Sequence, residues 1–450
     1  MGVFSTSKGA NVKPITVKFG GSSLANAAGF AKVADIVREN PARRYVVVSA
    51  PGKANGKDHK ITDMLLMCYQ LASHRLRFEE VFDIIRARFM EIGQGLKIRL
   101  NLKEVLDTVE QEIGAGATRD HCASRGEYIS ALIMAEYLGM PFVDSGRMIS
   151  FDSDGRMDES ATYAAVAATL KKHEYAVIPG FYGTDASGAV RTFARGGSDI
   201  TGAVIARGTD SALYENWTDV SGFLMADPAI VDNPMPINSI TFRELRELSY
   251  MGAQVLQEEA IFPVRERGIP IHIRNTHRPG DPGTLIVPEQ TEKKGTILTG
   301  IAGRKDFRVI SVEKARLREE GDFLRKLVSV FESNEVPIEN MPSSIDSISV
   351  IVPQAGIQGK EKKILEEIRI YCSPDTLTSM PSIALVAVVG QGMIHSTGVA
   401  ARVFTALGQA GVNVRLISQG SSELNILIGV DNDDFEQAVR AIYQAFVKGA

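Results

Sequence analysis

The run Val17-Lys18-Phe19-Gly20-Gly21-Ser22-Ser23 constrains this chain more than any other stretch. Ile15 and Val17 favour a short buried strand, and Gly20-Gly21 removes side chains where backbone amides must approach an anion closely. A strand that empties into such a turn and then a helix has the form of a phosphate cradle. Lys18 supplies a compact positive charge suited to bridging phosphates, while Ser22 and Ser23 add hydroxyl and amide donors beside the following helix. The spacing is not that of a GxxxxGK[ST] loop, because the lysine precedes the glycines. On these residues alone a purely structural glycine turn is the alternative.

The flanking segments belong to an α/β domain. Residues 27–37 carry helical apolar periodicity and residues 45–48 read as a strand. Pro51-Gly52 ends that strand, residues 55–60 form a polar surface loop, and a helix resumes at residue 61 with Thr62 and Asp63 near its start. Residues 65–113 are mostly helical by composition. The polar run 119–127 precedes an apolar helix expected over 128–138, which puts Glu127 at a helix entrance. Asp152-Ser153-Asp154-Gly155 lacks the rest of an EF-hand loop and reads as a surface turn. Residues 176–178 form a strand that empties into a glycine-containing loop, the kind of loop that carries pocket residues.

Size and composition bound the remaining possibilities. A chain of 450 residues holds two or three domains. Its formal charge of -4 gives no case for a nucleic-acid-binding surface, and no stretch reads as a signal segment or a membrane span. Only Cys68, Cys122 and Cys372 are cysteines, which argues against a disulfide framework and for a reducing, cytoplasmic setting. Met1-Gly2 with Thr6 fits a myristoylation pattern too short to carry weight.

Several further runs carry chemistry. Thr192-Phe193-Ala194-Arg195-Gly196-Gly197-Ser198-Asp199 joins a guanidinium fork, a permissive backbone and a carboxylate ahead of a helix at 200–206. Residues 213–217 form a strand entering the polar turn Thr218-Asp219, and Ala226-Asp227-Pro228 is a short turn. A helix expected over 245–256 contains Gly252-Ala253-Gln254-Val255-Leu256. Residues 269–275 read as a terminal strand, with His272 packed or interfacial and Arg274 and Asn275 available near the site, and residues 279–284 are the clearest linker candidate, the strand after them still falling within the catalytic domain.

The Lys-Phe-Gly-Gly-Ser-Ser opening, Ser124-Arg125-Gly126-Glu127, and Arg195-Gly196-Gly197-Ser198-Asp199 together resemble the amino-acid kinase superfamily, aspartate kinases above all. The resemblance implies a transfer centre of Lys18 and Asp199. It implies an ATP site of Lys18, Gly20, Gly21, Trp217, Thr218, Asp219, Asp227 and Gln254. L-aspartate would be held by Ser22, Ser49, Thr62, Glu127, Arg195, Gly197 and Ser198, with Arg195 on a carboxylate and Glu127 on the ammonium. Trp217 is equally an apolar anchor, and Asp227 either contacts ribose or stabilises its turn. Mg2+ would accompany ATP, its direct protein ligands unassigned. Gln254 departs from the family's Gly-Ala-Lys-Val-Leu run by placing a neutral amide where a cation is expected, and Gln257-Glu258 departs from a His-Pro continuation.

From about residue 301 the pattern changes into two small α/β modules of recurring apolar positions. Residues 309–312, 323–332, 337–339 and 348–352 form the first; residues 384–388, 399–409, 412–414 and 424–428 form the second. Both resemble ACT domains, which implies amino-acid regulation and a homodimer or higher homo-oligomer. Phe323, Leu324, Ile338, Glu339, Ser343 and Ser344 are the implied effector contacts. Lysine is the first candidate effector, with threonine or joint regulation close behind.

The expected architecture is α/β: a three-layer amino-acid-kinase-like catalytic domain over residues 12–290, then two ferredoxin-like ACT domains over 301–450. The implied reaction is ATP-dependent phosphorylation of L-aspartate to 4-phospho-L-aspartate. It belongs to the biosynthesis of lysine, threonine and methionine, in an enzyme with no homoserine-dehydrogenase domain appended. A different amino-acid kinase, or a nonenzymatic amino-acid sensor suggested by Gln254, are the alternatives.

Overall fold

The computed structural model describes residues 13–56, 58–194, 196–253, 256, 258–289 and 297–447. Arg195, Gln254, Gln257 and the Met1-Gly2 pattern lie outside the described residues. The chain divides into two compact units. The first takes in Met1–Phe223, Pro236–Phe242 and Gln254–Gln290, and the second Leu224–Met235, Arg243–Ala253 and Thr291–Ala450.

The first unit begins β1 (Ile15–Phe19), α1 (Ala27–Glu39), β2 (Arg43–Val48), α2 (Ile61–Ser73), α3 (Glu79–Leu96), α4 (Leu102–Gly114) and α5 (Arg119–Leu138). It continues through β3 (Ser150–Phe151), α6 (Glu159–Leu170), β4 (Ala176–Pro179), β5 (Tyr182–Asp185), β6 (Val190–Thr192), α7 (Gly197–Gly208) and β7 (Leu213–Thr218). After β8 (Ser239–Thr241) the chain passes through α8 (Phe242–Tyr250), which from Arg243 on belongs to the second unit, and the first unit resumes with α9 (Phe262–Arg265), β9 (Ile271–Asn275) and β10 (Thr284–Val287).

Seven of these strands make one sheet in the order β4-β2-β1-β7-β9-β10-β8. Its first five members are parallel neighbours, and β10 returns antiparallel to β9. Parallel strands are covered on both faces, which explains the nearly unbroken apolar runs at 45–48 and 176–178. Alternation then sorts β1 and β7 cleanly. Val17, Phe19 and Trp217 join Phe30, Phe82 and Ile133 in the large core, while Lys18 and Asn216 face the opposite side, toward α7.

Three sequence expectations change here. The helix carrying Ser-Arg-Gly-Glu starts at Arg119 rather than 128, with Thr118 accepting from the His121 amide, so Glu127 sits mid-helix and not at an entrance. Residues 279–284 are not a linker: they connect β9 to β10, and β10 is a member of the sheet. The helix expected over 245–256 is α8, which stops at Tyr250. The turn at 152–155 is as expected, since Asp152 Oδ1 accepts from the amides of Asp154 and Arg156.

The second unit contains β11 (Gly300–Glu313), α10 (Phe323–Ser333), β12 (Ser347–Pro353), α11 (Gln354–Ile357), α12 (Glu361–Cys372) and β13 (Thr376–Val389). It closes with α13 (Val399–Gln409), β14 (Val414–Ser418), β15 (Asn425–Asp431) and α14 (Phe435–Val447). Its sheet runs β12-β11-β13-β15-β14. The two modules share the long central strands. The last residues of β11 pair with the start of β13, and Gly300–Arg304 pairs with Leu385–Val389. The strand expected at 337–339 is absent as a named element. Pro337 lacks a donor, and the segment makes only isolated bridges, Asn340 to Ile351 and Ser343 to Ile348. Helix α8 is tied into this unit: buried Glu244 accepts from Thr299 Oγ1 and the Gln391 amide, and Asn425 donates to Glu247.

Candidate active site

The site forms where the parallel strands end, the usual position for ligands in an open α/β sheet. Beyond β1 the chain turns through a short 3-10 helix, Gly21–Leu24. The Gly20 amide donates to Trp217 O at 3.1 Å, and the Gly52 amide donates to Gly21 O at 2.8 Å. The loops after β1 and β2 are therefore in backbone contact. A Cβ on Gly21 would lie 2.7 Å from Ala50 O, and one on Gly52 would lie 2.7 Å from the carbonyl carbon of Gly21. Glycine is required on both sides of this crossing by lack of space. Ser22 stays half-buried at the turn, whereas Ser23 is buried and its hydroxyl is bonded to Thr276 Oγ1 at 2.7 Å. Of the two hydroxyls expected at this turn, that of Ser23 is engaged within the fold.

At the centre Lys18 Nζ lies 2.6 Å from Asp199 Oδ1, the side chains being 9% and 19% exposed. Asp199 stands in the first turn of α7, where the helix amides favour a carboxylate or a phosphate. Its carbonyl accepts from Tyr214 OH at 3.0 Å, and Asn216 Nδ2 donates to its Oδ1 at 2.8 Å. Burial, reinforced by Asp199, holds the Tyr214 phenol well above its ordinary range, so it is a permanent donor here. Gly197 and Ser198 lead into this turn, and Ser198 packs against Gly180 at the end of β4, where a Cβ would come 2.5 Å from Ser198 Oγ. Phe181 next to it is held at φ 79°, with its amide on Thr201 Oγ1. A left-handed Phe is costly backbone, of the kind stored at functional sites.

Glu127 approaches from α5. It is 5% exposed, its Oε2 has no hydrogen-bond partner among the described residues, and the Ala50 amide is bonded to its carboxylate. Burial pushes its carboxyl up to about 8, only partly offset by the Ala50 amide and nearby Arg125. Gly126 permits this placement, since a Cβ there would meet Ala50 Cβ at 2.7 Å. Ser49, at the end of β2, donates its amide to Phe19 O, and Thr62 lies in the first turn of α2 behind the same loop.

On the other flank Thr218 Oγ1 donates to Asp219 Oδ1 at 3.2 Å, and the exposed Asp219 carbonyl accepts from Asn275 Nδ2. Trp217 is the anchor and not a nucleotide platform. Its ring is fully buried, stacked on Phe19 at 5.9 Å, with Nε1 on Glu215 Oε2 at 2.8 Å. Arg274 is likewise not free at the site: it lies over the Trp217 ring at 4.4 Å and donates to Pro279 O. His272 is packed as expected, bonded to Pro282 O, with burial holding its imidazole below the usual range. Asp227 caps its own turn through the Ala229 amide at 2.8 Å and belongs to the second unit.

In the second unit a cavity of about 300 Å³ is lined by Glu320, Phe323, Leu324, Met341, Ser343 and Ser344, among others. Four of the expected effector contacts meet there. Ile338 and Glu339 do not line it. Glu339 is buried beside Arg304, with Tyr250 bonded to its carboxylate, and burial raises its carboxyl above the ordinary range. No group of three His, Cys, Asp or Glu side chains suited to a metal ion occurs among the described residues. The three cysteines are buried free thiols, and no described helix is long and apolar enough to cross a membrane.

The model of the amino acid kinase family matches residues 13–275, more than half of the chain. The chain belongs to that family. An ACT-domain model matches residues 386–446 of this amino acid kinase. It is 34% identical over 454 residues to aspartokinase 3 of Bacillus subtilis, covering 96% of this chain and 98% of that protein. It is 32% identical over 466 residues to the chloroplastic aspartokinase 1 of Arabidopsis thaliana, covering 96% and 79%. Its fold superposes on the crystal structure of Clostridium acetobutylicum aspartate kinase with a TM-score of 0.90 at 49% identity, covering 96% and 100% of the two chains.

Asn216 is the site residue that motif reading passes over. Its signal is an amide in the middle of an otherwise buried strand, a position that demands polar partners.

Proposed function

We infer that the protein is an aspartate kinase, transferring the γ-phosphoryl group of ATP to the side-chain carboxylate of L-aspartate to give ADP and 4-phospho-L-aspartate. The observation that carries this reading is the buried Lys18–Asp199 pair, set between the glycine crossing of Gly21 and Gly52 and the first turn of α7. The substrate carboxylate is already a nucleophile, so the chemistry demands alignment and suppression of its repulsion from the phosphates. Lys18 neutralises charge on the transferred group. Arg195 and Glu127 orient aspartate, and Ser22, Ser49, Thr62, Gly197 and Ser198 are assigned to the same substrate. Gly20, Gly21, Thr218, Asp219 and Gln254 are the residues assigned to nucleotide binding. Asp199 and Asp219 would shape the nucleotide-metal region, the direct protein ligands of Mg2+ being unassigned; when bound with ATP, Mg2+ neutralises phosphate charge.

The buried Glu127 carboxylate, whose Oε2 has no hydrogen-bond partner among the described residues, supports the ammonium-binding role and yields a pH prediction. Below about pH 8 Glu127 holds a proton in the free protein, and an ammonium partner requires its loss. KM for aspartate is therefore expected to rise roughly tenfold per pH unit below about pH 8 and to flatten above it. In Glu127→Gln it should be raised throughout and lose that slope. A parent KM that is flat across this range removes Glu127 from the ammonium site.

The catalytic domain is placed at residues 12–290 and the tandem ACT pair at 301–450. The cavity lined by Phe323, Leu324, Ser343 and Ser344 supports feedback by a small amino acid, lysine first and threonine second, in a homodimer or higher homo-oligomer. Three buried free thiols support a reducing cytoplasmic setting. The deciding experiment measures ADP formation with Mg-ATP and L-aspartate, hydroxylamine trapping of the acyl phosphate, and inhibition by lysine and threonine. Aspartate-dependent ADP with trapped product is the expected result. Effector binding with neither product would assign the chain to amino-acid sensing.

A further inference from the structure

Lys18 and Asn216 are register partners on the adjacent parallel strands β1 and β7, so their side chains leave the sheet together on the face that meets α7. Both residues are buried, at 7% and 3% exposure. Asn216 Nδ2 donates to Asp199 Oδ1 at 2.8 Å, and its Oδ1 lies 3.5 Å from Lys18 Nζ, which itself reaches the same Asp199 oxygen at 2.6 Å. An ammonium can only donate and a carboxylate can only accept, so only one orientation of the Asn216 amide satisfies both neighbours. Two residues earlier on the same face, Tyr214 OH holds the Asp199 carbonyl. The first turn of α7 is thus docked on β7 through one contact to the backbone of Asp199 and one to its side chain. Among the described residues Asp199 Oδ2 takes no hydrogen bond, since both side-chain contacts fall on Oδ1.

We propose that Asn216 is a positioning residue for phosphoryl transfer, holding the Asp199 carboxylate in place when Lys18 leaves it for the phosphates. This rests on the kinase reading above. Lys18 is paired with Asp199, and a lysine that must neutralise a transferring phosphoryl group has to exchange that partner. At that moment Asp199 Oδ1 loses its cation. The amide of Asn216 stays behind as a neutral donor: it fixes the carboxylate rotamer and leaves Oδ2 directed elsewhere, without bringing a charge that competes for the phosphates. An apolar side chain of the same shape fills the space but supplies no donor.

The test uses the full chain with Asn216 replaced by Gln and by Met, two side chains of equal length that differ in the amide, together with Asn216→Leu. Steady-state kcat, KM for aspartate, KM for ATP and the melting midpoint are measured for each. The Met and Leu variants are expected to lose about 10- to 100-fold in kcat with KM for aspartate within about twofold of the parent, and the Gln variant to keep at least about tenfold more kcat than Met. Equal kcat in the Gln and Met variants, or a loss confined to KM, overturns the positioning role even if Leu fails to fold. A parent chain that forms no ADP with aspartate overturns the kinase reading itself and this inference with it; a parent that turns over normally separates the two.

Discussion

Replacing Lys18 by alanine is expected to lower aspartate-dependent ADP formation by about three orders of magnitude while the chain remains folded. The ammonium is the one cation seen at the centre among the described residues, and it is almost fully buried against Asp199. Water cannot substitute for it on the developing phosphoryl charge without reorganising, which is why a preorganised cation in a dry site is worth more than in solution. Folding survives because Asp199, 19% exposed on its side chain, keeps both the Asn216 donor and contact with solvent. Lys18→Arg should rescue little, since a planar fork cannot occupy the position of a point charge lodged between Asp199 and Asn216. The measurements are the coupled ADP assay, hydroxylamine trapping and a thermal melt. Parent-level turnover in Lys18→Ala removes this lysine from the transfer step.

The second large effect lies on the opposite face of the same strands. Arg43 Nε and Nη2 bind Glu215 Oε2 and Oε1 at 2.9 and 3.2 Å, with both side chains about 5% exposed or less. Trp217 Nε1 shares Oε2, and the Arg43 guanidinium lies 5.3 Å from the Trp217 ring. Arg43→Met strands the Glu215 carboxylate in the core, with Arg274 as its nearest remaining cation at 4.0 Å. Breaking a buried pair by removing one partner costs about 3 to 5 kcal/mol. The melting midpoint of Arg43→Met should fall by roughly 6 to 12 °C. Arg43→Met combined with Glu215→Leu should recover most of the loss, because an apolar pair in that space carries no uncompensated charge. A double variant no better than the single one would mean that the pair contributes through packing rather than charge. The consequence reaches the site, since Glu215 and Trp217 flank Asn216 and their burial fixes how β7 presents it to Lys18.

Much of the first unit was legible because local patterns decide it. An apolar strand, two glycines and a helix start are short-range signals, and β1 with its turn follows them. The three motifs do converge on one end of the sheet, with Arg195 the member outside the described residues. Where the reading failed, tertiary packing overrode local polarity. Residues 119–127 look like a surface entrance, yet Cys122, Ala123, Ser124, Arg125 and Glu127 are all buried. Arg125 is accommodated by Ser124 Oγ and by the rings of Tyr128 and Tyr182, the latter from β5. Nothing local announces that. The same holds for residues 279–284, whose turn chemistry is identical in a hairpin connection and in a linker.

By itself, then, the sequence determined the class of fold, the strand-end loops that carry the chemistry, and the residue types poised there, since each depends on periodicity or on a few consecutive residues. Only the tertiary structure decided which charges meet. Lys18 and Asn216 are 198 residues apart and become neighbours through strand register, and Glu127 becomes a carboxyl shifted to about 8 because α5 is buried against the Ala50 loop. It likewise turned Trp217 from a candidate adenine contact into a fully buried anchor. Ion pairing and desolvation are properties of surroundings assembled from distant segments, and no short stretch of chain contains them.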